Sequence, residues 1–309
     1  MSGLQKGWSG FFWICKIIVP ISFLTFLLEY SGWISRIDFL LKPGLNMLSL
    51  PSIAALPLIA GMLSGIYGGI ASMAVLPLTQ TQMTLITVFL LISHNLIQEG
   101  IVQGKSGLHP LKSSVVRLAA SIVAVMVVAQ LLDADSAVNV KGIATDTVKY
   151  PFAIMLKGWA LKTLYLCAKI LVIIVVLMMI LETMKCLDII DRIVNVLSPL
   201  LKILGLNKKV GILWLTAALF GIAYGAAVIV AEAKGGNLTS EDLTKLHLSI
   251  GINHSMIDDP ALFLSVGIHP FWLWVPRLIL AIIVVWLYTF VRRLDVYPCL
   301  AKFALRQKK

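Results

Sequence analysis

The chain has 309 residues, of which 59% are hydrophobic and 13% charged, far more apolar than a soluble domain can bury. Its net charge of +11 comes from Lys and Arg in loops and at the C-terminus, not along one helical stripe, which argues against a nucleic-acid partner and fits a membrane protein's positive-inside bias. Cys15, Cys167, Cys186 and Cys299 are scattered without a CxxC pair, and no G-x-S-x-G elbow, P-loop or GxGxxG is present, so neither a disulfide framework, a zinc site, an enzyme nor an ATP-driven machine is expected.

In chain order, the apolar run from Phe11 ends at Glu29-Tyr30 without a small-residue cleavage pattern, and predicts a first span over 11–30. An amphipathic stretch with a central proline, 35–50, is placed flat in the interface. A glycine-interrupted apolar segment follows at 52–77, then two more apolar segments at 80–103 and 111–132. Residues 133–159, carrying Asp133, Asp135 and Asp146, read as a linker. The same order then returns: a span at 160–184, an amphipathic stretch at 186–206, a glycine-interrupted segment at 209–231, and apolar segments at 240–266 and 270–291, before a basic tail at 292–309.

The two halves also match residue by residue. Lys16, Leu28 and Glu29 recur 153 positions later, and Ile34, Arg36, Ile37, Leu41, Pro43, Leu50 and Gly65-Ile66 recur 156 positions later. His94, Ile97, Gly107, His109, Pro110, Arg117 and Leu118 recur 160 positions later, with the second gain near the polar stretch 232–242 where an insertion is tolerated. The chain therefore reads as an all-α polytopic membrane protein of two repeats, 1–132 and 160–291, each with an interfacial helix, a re-entrant hairpin and three spanning helices. Three crossings per repeat invert the second copy. With both termini cytoplasmic, 16 Lys and Arg fall on the inner face against five on the outer (Arg36, Lys42, Lys141, Lys149, Lys157). If the glycine-rich segments cross fully instead, the repeats become parallel.

Two features carry candidate chemistry. The hairpin tips, Gly65, Tyr67, Gly68 and Gly69 with Tyr224 and Gly225, free backbone groups that a bilayer tolerates only against protein or a water-filled cavity. The same glycines also suit close small-xxx-small helix packing. The second feature is His94, Asn95, Gln98 and Glu99 with Asn253, His254, Asp258 and Asp259, ionisable groups in apolar segments that mark a pathway or else tie helices together. On a regular helix His94/Gln98 and His254/Asp258 share a face, while Glu99 and Asp259 lie about 140° away; unwinding at Gly100 and Pro260 would let them converge. Imidazole with carboxylate suits proton relay or a divalent transition metal held by His94, Glu99, His254, Asp258 and Asp259, whereas Asn and Gln suit an uncharged polar solute. His109-Pro110 and His269-Pro270 read as turn devices, and Arg117 and Arg277 as carbonyl caps or snorkelling residues.

The order span, interfacial helix, hairpin, broken helix, span, repeated, resembles the Gate, or nucleoside-recognition, family and the related cores of concentrative nucleoside transporters and the ferrous-iron transporter B. His254-Ser-Met-Ile-Asp258-Asp259-Pro260 is similar to the family's His-x-x-Ile-acid-acid signature, of which His94-Asn-Leu-Ile-Gln98-Glu99 is a degenerate copy. The resemblance implies a secondary transporter with alternating access, its solute held between hairpin tips and broken helices in a bacterial inner membrane. The expected solute is small and polar, nucleoside-like in one reading and a divalent metal ion in another; a membrane scaffold or receptor is the reading from outside transport. No resident cofactor is expected, a proton or sodium ion is the candidate coupling ion, and the partners are the bilayer and the solute, with room for a homo-oligomer.

Overall fold

The computed structural model describes residues 3–36, 38–134, 151–186, 196, 198–207, 210–211, 213–218, 221, 229–230, 232 and 238–293. Among these every regular element is helical. Tyr224 and Gly225, most of the linker and the tail beyond Arg293 lie outside the described residues. Five stretches are long and apolar enough to cross a bilayer: Phe11–Tyr30, Gln80–Lys105, Pro110–Leu131, Phe152–Ile180 and Pro270–Arg293. Large apolar side chains such as Leu111, Val115, Ile122 and Met126 on one helix, and Phe271, Ile279, Ile283 and Phe290 on another, are exposed. Water would not tolerate such continuous outward apolar faces; lipid does. This is a multi-pass membrane protein.

Helices α1 (Gly3–Tyr30), α2 (Trp33–Arg36) and α3 (Asp38–Asn46) lead into a short 3₁₀ turn at Ser52–Ala54. Next come α4 (Ala55–Ser64), α5 (Ile66–Val75), α6 (Gln80–Ser93), α7 (Leu96–Lys105) and α8 (Pro110–Leu131). The second half supplies α9 (Phe152–Cys186), α10 (Ser198–Ile203), α11 (Ser240–Ile252), α12 (Asp258–Leu264) and α13 (Pro270–Arg293). Helix α9 starts inside the segment read as a linker, because Phe152 and Trp159 pack on Phe26 and Tyr30 of α1. The expected span 240–266 is divided into α11 and α12 by residues 253–257, where the polar run Asn253–Asp259 interrupts the apolar pattern.

Gly65 adopts φ +81°, ψ −178°, a combination open essentially to glycine alone, and there the chain turns back. Helix α5 packs against α4 so that Gly69 approaches the Gly61 Cα and the Pro57 carbonyl. Leu90 of α6, fully buried, sits between Gly61 and Gly69, where side chains would displace it. The glycines thus serve both expected roles at once, a sharp turn and close packing. Each of these helices has 10 residues, about 15 Å of rise, half the hydrocarbon thickness.

The repeat is visible in the backbone. Left-handed φ values occur in pairs at the sequence offsets: Ser49 and Gly205, Gly65 and Gly221, Asn95 and Ser255, Gly107 and Gly267. Capping is duplicated too. Thr79 with Gln82 and Thr239 with Asp242 form capping boxes, while His109 Nδ1 and His269 Nδ1 accept from the Leu111 and Phe271 amides, each at 3.3 Å. Both His-Pro pairs are therefore helix starts, as their sequence suggests.

Matching elements of the two halves run antiparallel. Along α1 and α9, Tyr30 meets Phe152, Phe26 meets Trp159, Ser22 meets Thr163 and Cys15 meets Cys167. Along the broken helices, Gln80 donates to the Gly267 carbonyl at 2.6 Å, His94 meets His254, and Ser106 meets His247 at 3.0 Å. The start of each broken helix lies against the end of the other, and they cross at the histidines.

Substituting Gly65 with Ala should cost about 1–3 kcal/mol through this backbone geometry and lower the thermal unfolding midpoint in detergent. Gly44→Ala, at a helical position with open space around it, should leave the midpoint unchanged or slightly raised.

Candidate functional site

Helix α6 stops at His94 because Asn95 takes a left-handed conformation, φ 51°, ψ 37°, which Asn tolerates better than most residues. In the second half α11 stops before Asn253, with Ser255 at φ 46°. Both breaks fall earlier than Gly100 and Pro260, the positions expected to unwind. Gly100 lies inside α7, and Pro260 occupies the first turn of α12, where a missing N–H costs nothing.

Each break is tied to the preceding helix pair or its counterpart. The Asn95 amide donates to the Gly61 carbonyl at 3.1 Å; the Ser255 and Met256 amides donate to Ala217 and Ala218 at 3.2 and 2.6 Å. Each break also frees carbonyls, which one arginine per half caps. Arg117 donates to Ile92 and His94 carbonyls at 2.8 and 2.7 Å, and Arg277 to His254 and Ser255 carbonyls at 3.0 and 3.5 Å. Both arginines are almost wholly buried.

Because the helices end here, α7 and α12 restart at a new angle and turn Glu99 and Asp259 onto the histidines, which a continuous helix would not allow. His94 Nδ1 contacts the Leu90 carbonyl, and His254 Nδ1 the Ile250 carbonyl, both at 2.8 Å. A carbonyl only accepts, so both Nδ1 atoms carry the proton and each neutral ring turns the Nε2 lone pair inward. The two Nε2 atoms lie 3.3 Å apart. Glu99 Oε1 is 3.3 Å from His94 Nε2 and 3.2 Å from His254 Nε2. Glu99 Oε2 pairs with Arg117 Nη1 at 2.6 Å, which fixes the carboxylate with one oxygen toward the imidazoles. Asp259 Oδ2 is 3.5 Å from His94 Nε2 and has no hydrogen-bond partner. All four site residues are more than nine-tenths buried.

His94, Glu99, His254 and Asp259 thus converge as the sequence suggested. Asn95 and Gln98 do not: Gln98 is exposed and accepts from Asn95 Nδ2 at 3.1 Å. Asn253 donates to Met256 Sδ at 3.6 Å, and Asp258 is half-buried with Oδ1 unpaired. Gly65 lies beside Asn95, and a methyl at Gly221 would meet Ser255 Oγ at 2.6 Å, so both turns abut the breaks. Tyr67 stacks edge-on against Trp13, 5.8 Å between centroids, and Gly68 and Gly69 pack within the helix pair; these three support the fold and not the cluster.

Arg117 caps carbonyls, one of the two roles its sequence suggests, and it also ion-pairs Glu99, a role its sequence does not indicate. Its recurrence at Arg277 in an apolar segment was the available signal. His247, unpaired in the histidine pattern, is also buried, with Nε2 3.0 Å from Ser106 Oγ; nothing in its local sequence sets it apart.

The model of the Gate family, described as nucleoside recognition, matches residues 11–103. Over that stretch the chain is similar to the Gate family. The match runs from within α1 to within α7 and includes His94 and Glu99, while Arg117, His254 and Asp259 lie outside it. The chain is also similar to the uncharacterized membrane protein YvoD of Bacillus subtilis (strain 168), 27% identical over 278 residues and covering 88% of each chain. No solved structure matches.

Arg117→Gln leaves a buried Glu99 carboxylate and two helix-end carbonyls uncompensated, and should destabilise the protein by about 3–5 kcal/mol. Adding Glu99→Gln removes the orphaned charge and should recover part of that loss, a coupling that unfolding of the single and double variants measures.

Proposed function

We propose that this membrane protein is a secondary transporter that moves a small polar solute or ion by alternating access at the His94–Glu99–His254–Asp259 junction. One observation carries the reading: buried ionisable side chains from both halves meet at two helix breaks within apolar segments. Such groups are expensive in a membrane and are retained on substrate and ion pathways. A scaffold could tie its helices together with neutral pairs at lower cost.

In this reading the two halves are inverted repeats, α4–α5 is a re-entrant hairpin, and its counterpart enters from the other side. The antiparallel meeting of α1 with α9 and of the two broken helices supports it, as does the inner-face excess of Lys and Arg. Both termini are then cytoplasmic, in the plasma membrane of a bacterium, and a proton or sodium gradient drives movement without enzymatic chemistry. The Gate family's description favours a nucleoside-like solute as a second reading; Asn253, at one break, would supply amide hydrogen bonds to it.

Two measurements check these points. In liposomes under an imposed proton or sodium gradient, the protein should accumulate one member of a panel of labelled nucleosides, nucleobases and divalent cations, and His254→Ala should abolish that uptake. A folded protein that moves none of them is a scaffold. Leu111 and Phe271, exposed at equivalent positions, test the topology in a cysteine-free background: an impermeant maleimide on intact cells should label Phe271→Cys and spare Leu111→Cys, whereas parallel repeats would give both the same behaviour.

A further inference from the structure

The atoms that meet at the junction are all electron-pair donors. With both Nδ1 atoms protonated on backbone carbonyls, His94 Nε2, His254 Nε2 and Glu99 Oε1 present three lone pairs to one another at 3.2–3.3 Å. Such a triangle repels itself unless a cation lies within it. A single proton bridges only one pair and leaves the third atom facing an acceptor.

A metal ion satisfies all three. Ligands held at about 2.0–2.1 Å in a tetrahedron stand about 3.3–3.4 Å apart, and the three observed edges have that size. Asp259 Oδ2, buried, unpartnered and 3.5 Å from His94 Nε2, is a further carboxylate beside this triangle but outside the group of three whose ligand atoms all lie within 4.8 Å of one another. Two imidazoles with a carboxylate select first-row transition metals over Mg²⁺ and Ca²⁺, which take oxygen ligands. Both histidines carry the outer-sphere Nδ1–H···O=C bond that fixes a metal-binding ring. Arg117, ion-paired to the other Glu99 oxygen, draws charge from that ligand and opposes an incoming cation. The consequence is weaker, reversible binding, which suits a carried ion better than a resident one.

We infer that the solute of this transporter is a divalent transition-metal cation, bound by His94 Nε2, His254 Nε2 and Glu99 Oε1, with the Asp259 carboxylate beside them as a source of further negative charge. The inference rests on the transport reading for its role as cargo, but binding is tested separately. Tag-free protein in detergent is titrated with Zn²⁺, Co²⁺, Mg²⁺ and Ca²⁺, with bound metal counted after gel filtration. One Zn²⁺ or Co²⁺ per chain is expected, a Co²⁺ visible spectrum of tetrahedral intensity, and no retention of Mg²⁺ or Ca²⁺. His94→Gln and His254→Gln should each abolish retention and the spectrum, while His109→Ala and His269→Ala, at helix starts away from the cluster, should keep both.

Wild-type protein that binds no transition metal overturns the inference, and so does binding that survives both Gln variants. Should those variants fail to fold, X-ray absorption of the wild-type Zn²⁺ complex decides: two imidazoles and oxygen at about 2.0–2.1 Å support the site, and any sulfur or oxygen-only shell overturns it. The liposome assay separates the two readings. Uptake of an uncharged solute without metal binding leaves the transporter and removes the metal; stoichiometric metal binding without movement of any cation leaves the metal site and removes transport.

Discussion

A helix broken inside a bilayer exposes carbonyls that no water reaches, and the organisation of this protein follows from how those carbonyls are satisfied. One arginine from α8 and one from α13 reach the two breaks, donating to the carbonyls of Ile92 and His94 and of His254 and Ser255. An unsatisfied carbonyl in hydrocarbon costs several kcal/mol, so the interruptions are stable only while α8 and α13 stand beside them. Break, capping helix and turn therefore form one unit, and the chain contains it twice.

The unit places charge as a by-product of placing hydrogen bonds. A guanidinium brought in to cap carbonyls needs a counter-charge, and Glu99 supplies it through one oxygen. Its second oxygen is then aimed at the histidines, whose own Nδ1 atoms are committed to the last turns of α6 and α11. Each orientation in the cluster is thus fixed by a backbone interaction outside it, which is how a site keeps its geometry without water.

The duplication, the span order and the participation of His94, Glu99, His254 and Asp259 were legible in the sequence, because identical residue types at constant offsets survive independent of context. The position of the breaks was not. Gly100 and Pro260 look like helix breakers, yet one is accommodated within a helix and the other in a first turn, while Asn95 and Ser255 take the left-handed conformation. What selects them is tertiary: the Asn95 and Ser255 amides have carbonyl partners on neighbouring helices at Gly61 and Ala217, and a pattern of residue types does not encode that contact. The same holds for Arg117, whose ion pair requires the turn that the break creates.

The two halves of the site are related but not equal, and the inequality has a physical reading. Glu99 is clamped by Arg117, whereas Arg277 makes no ion pair with Asp259 among the described residues and donates through its two Nη atoms to carbonyls. Asp259 is also the shorter side chain and meets only one of the histidines. A symmetric site with two clamped acids would hold a cation equally from both sides and release it to neither. One fixed and one unclamped carboxylate instead give the cluster a rigid wall and a yielding one. The asymmetry is written in the chain as Gln98 opposite Asp258 and Glu99 opposite Asp259, four and five residues after the shared histidines.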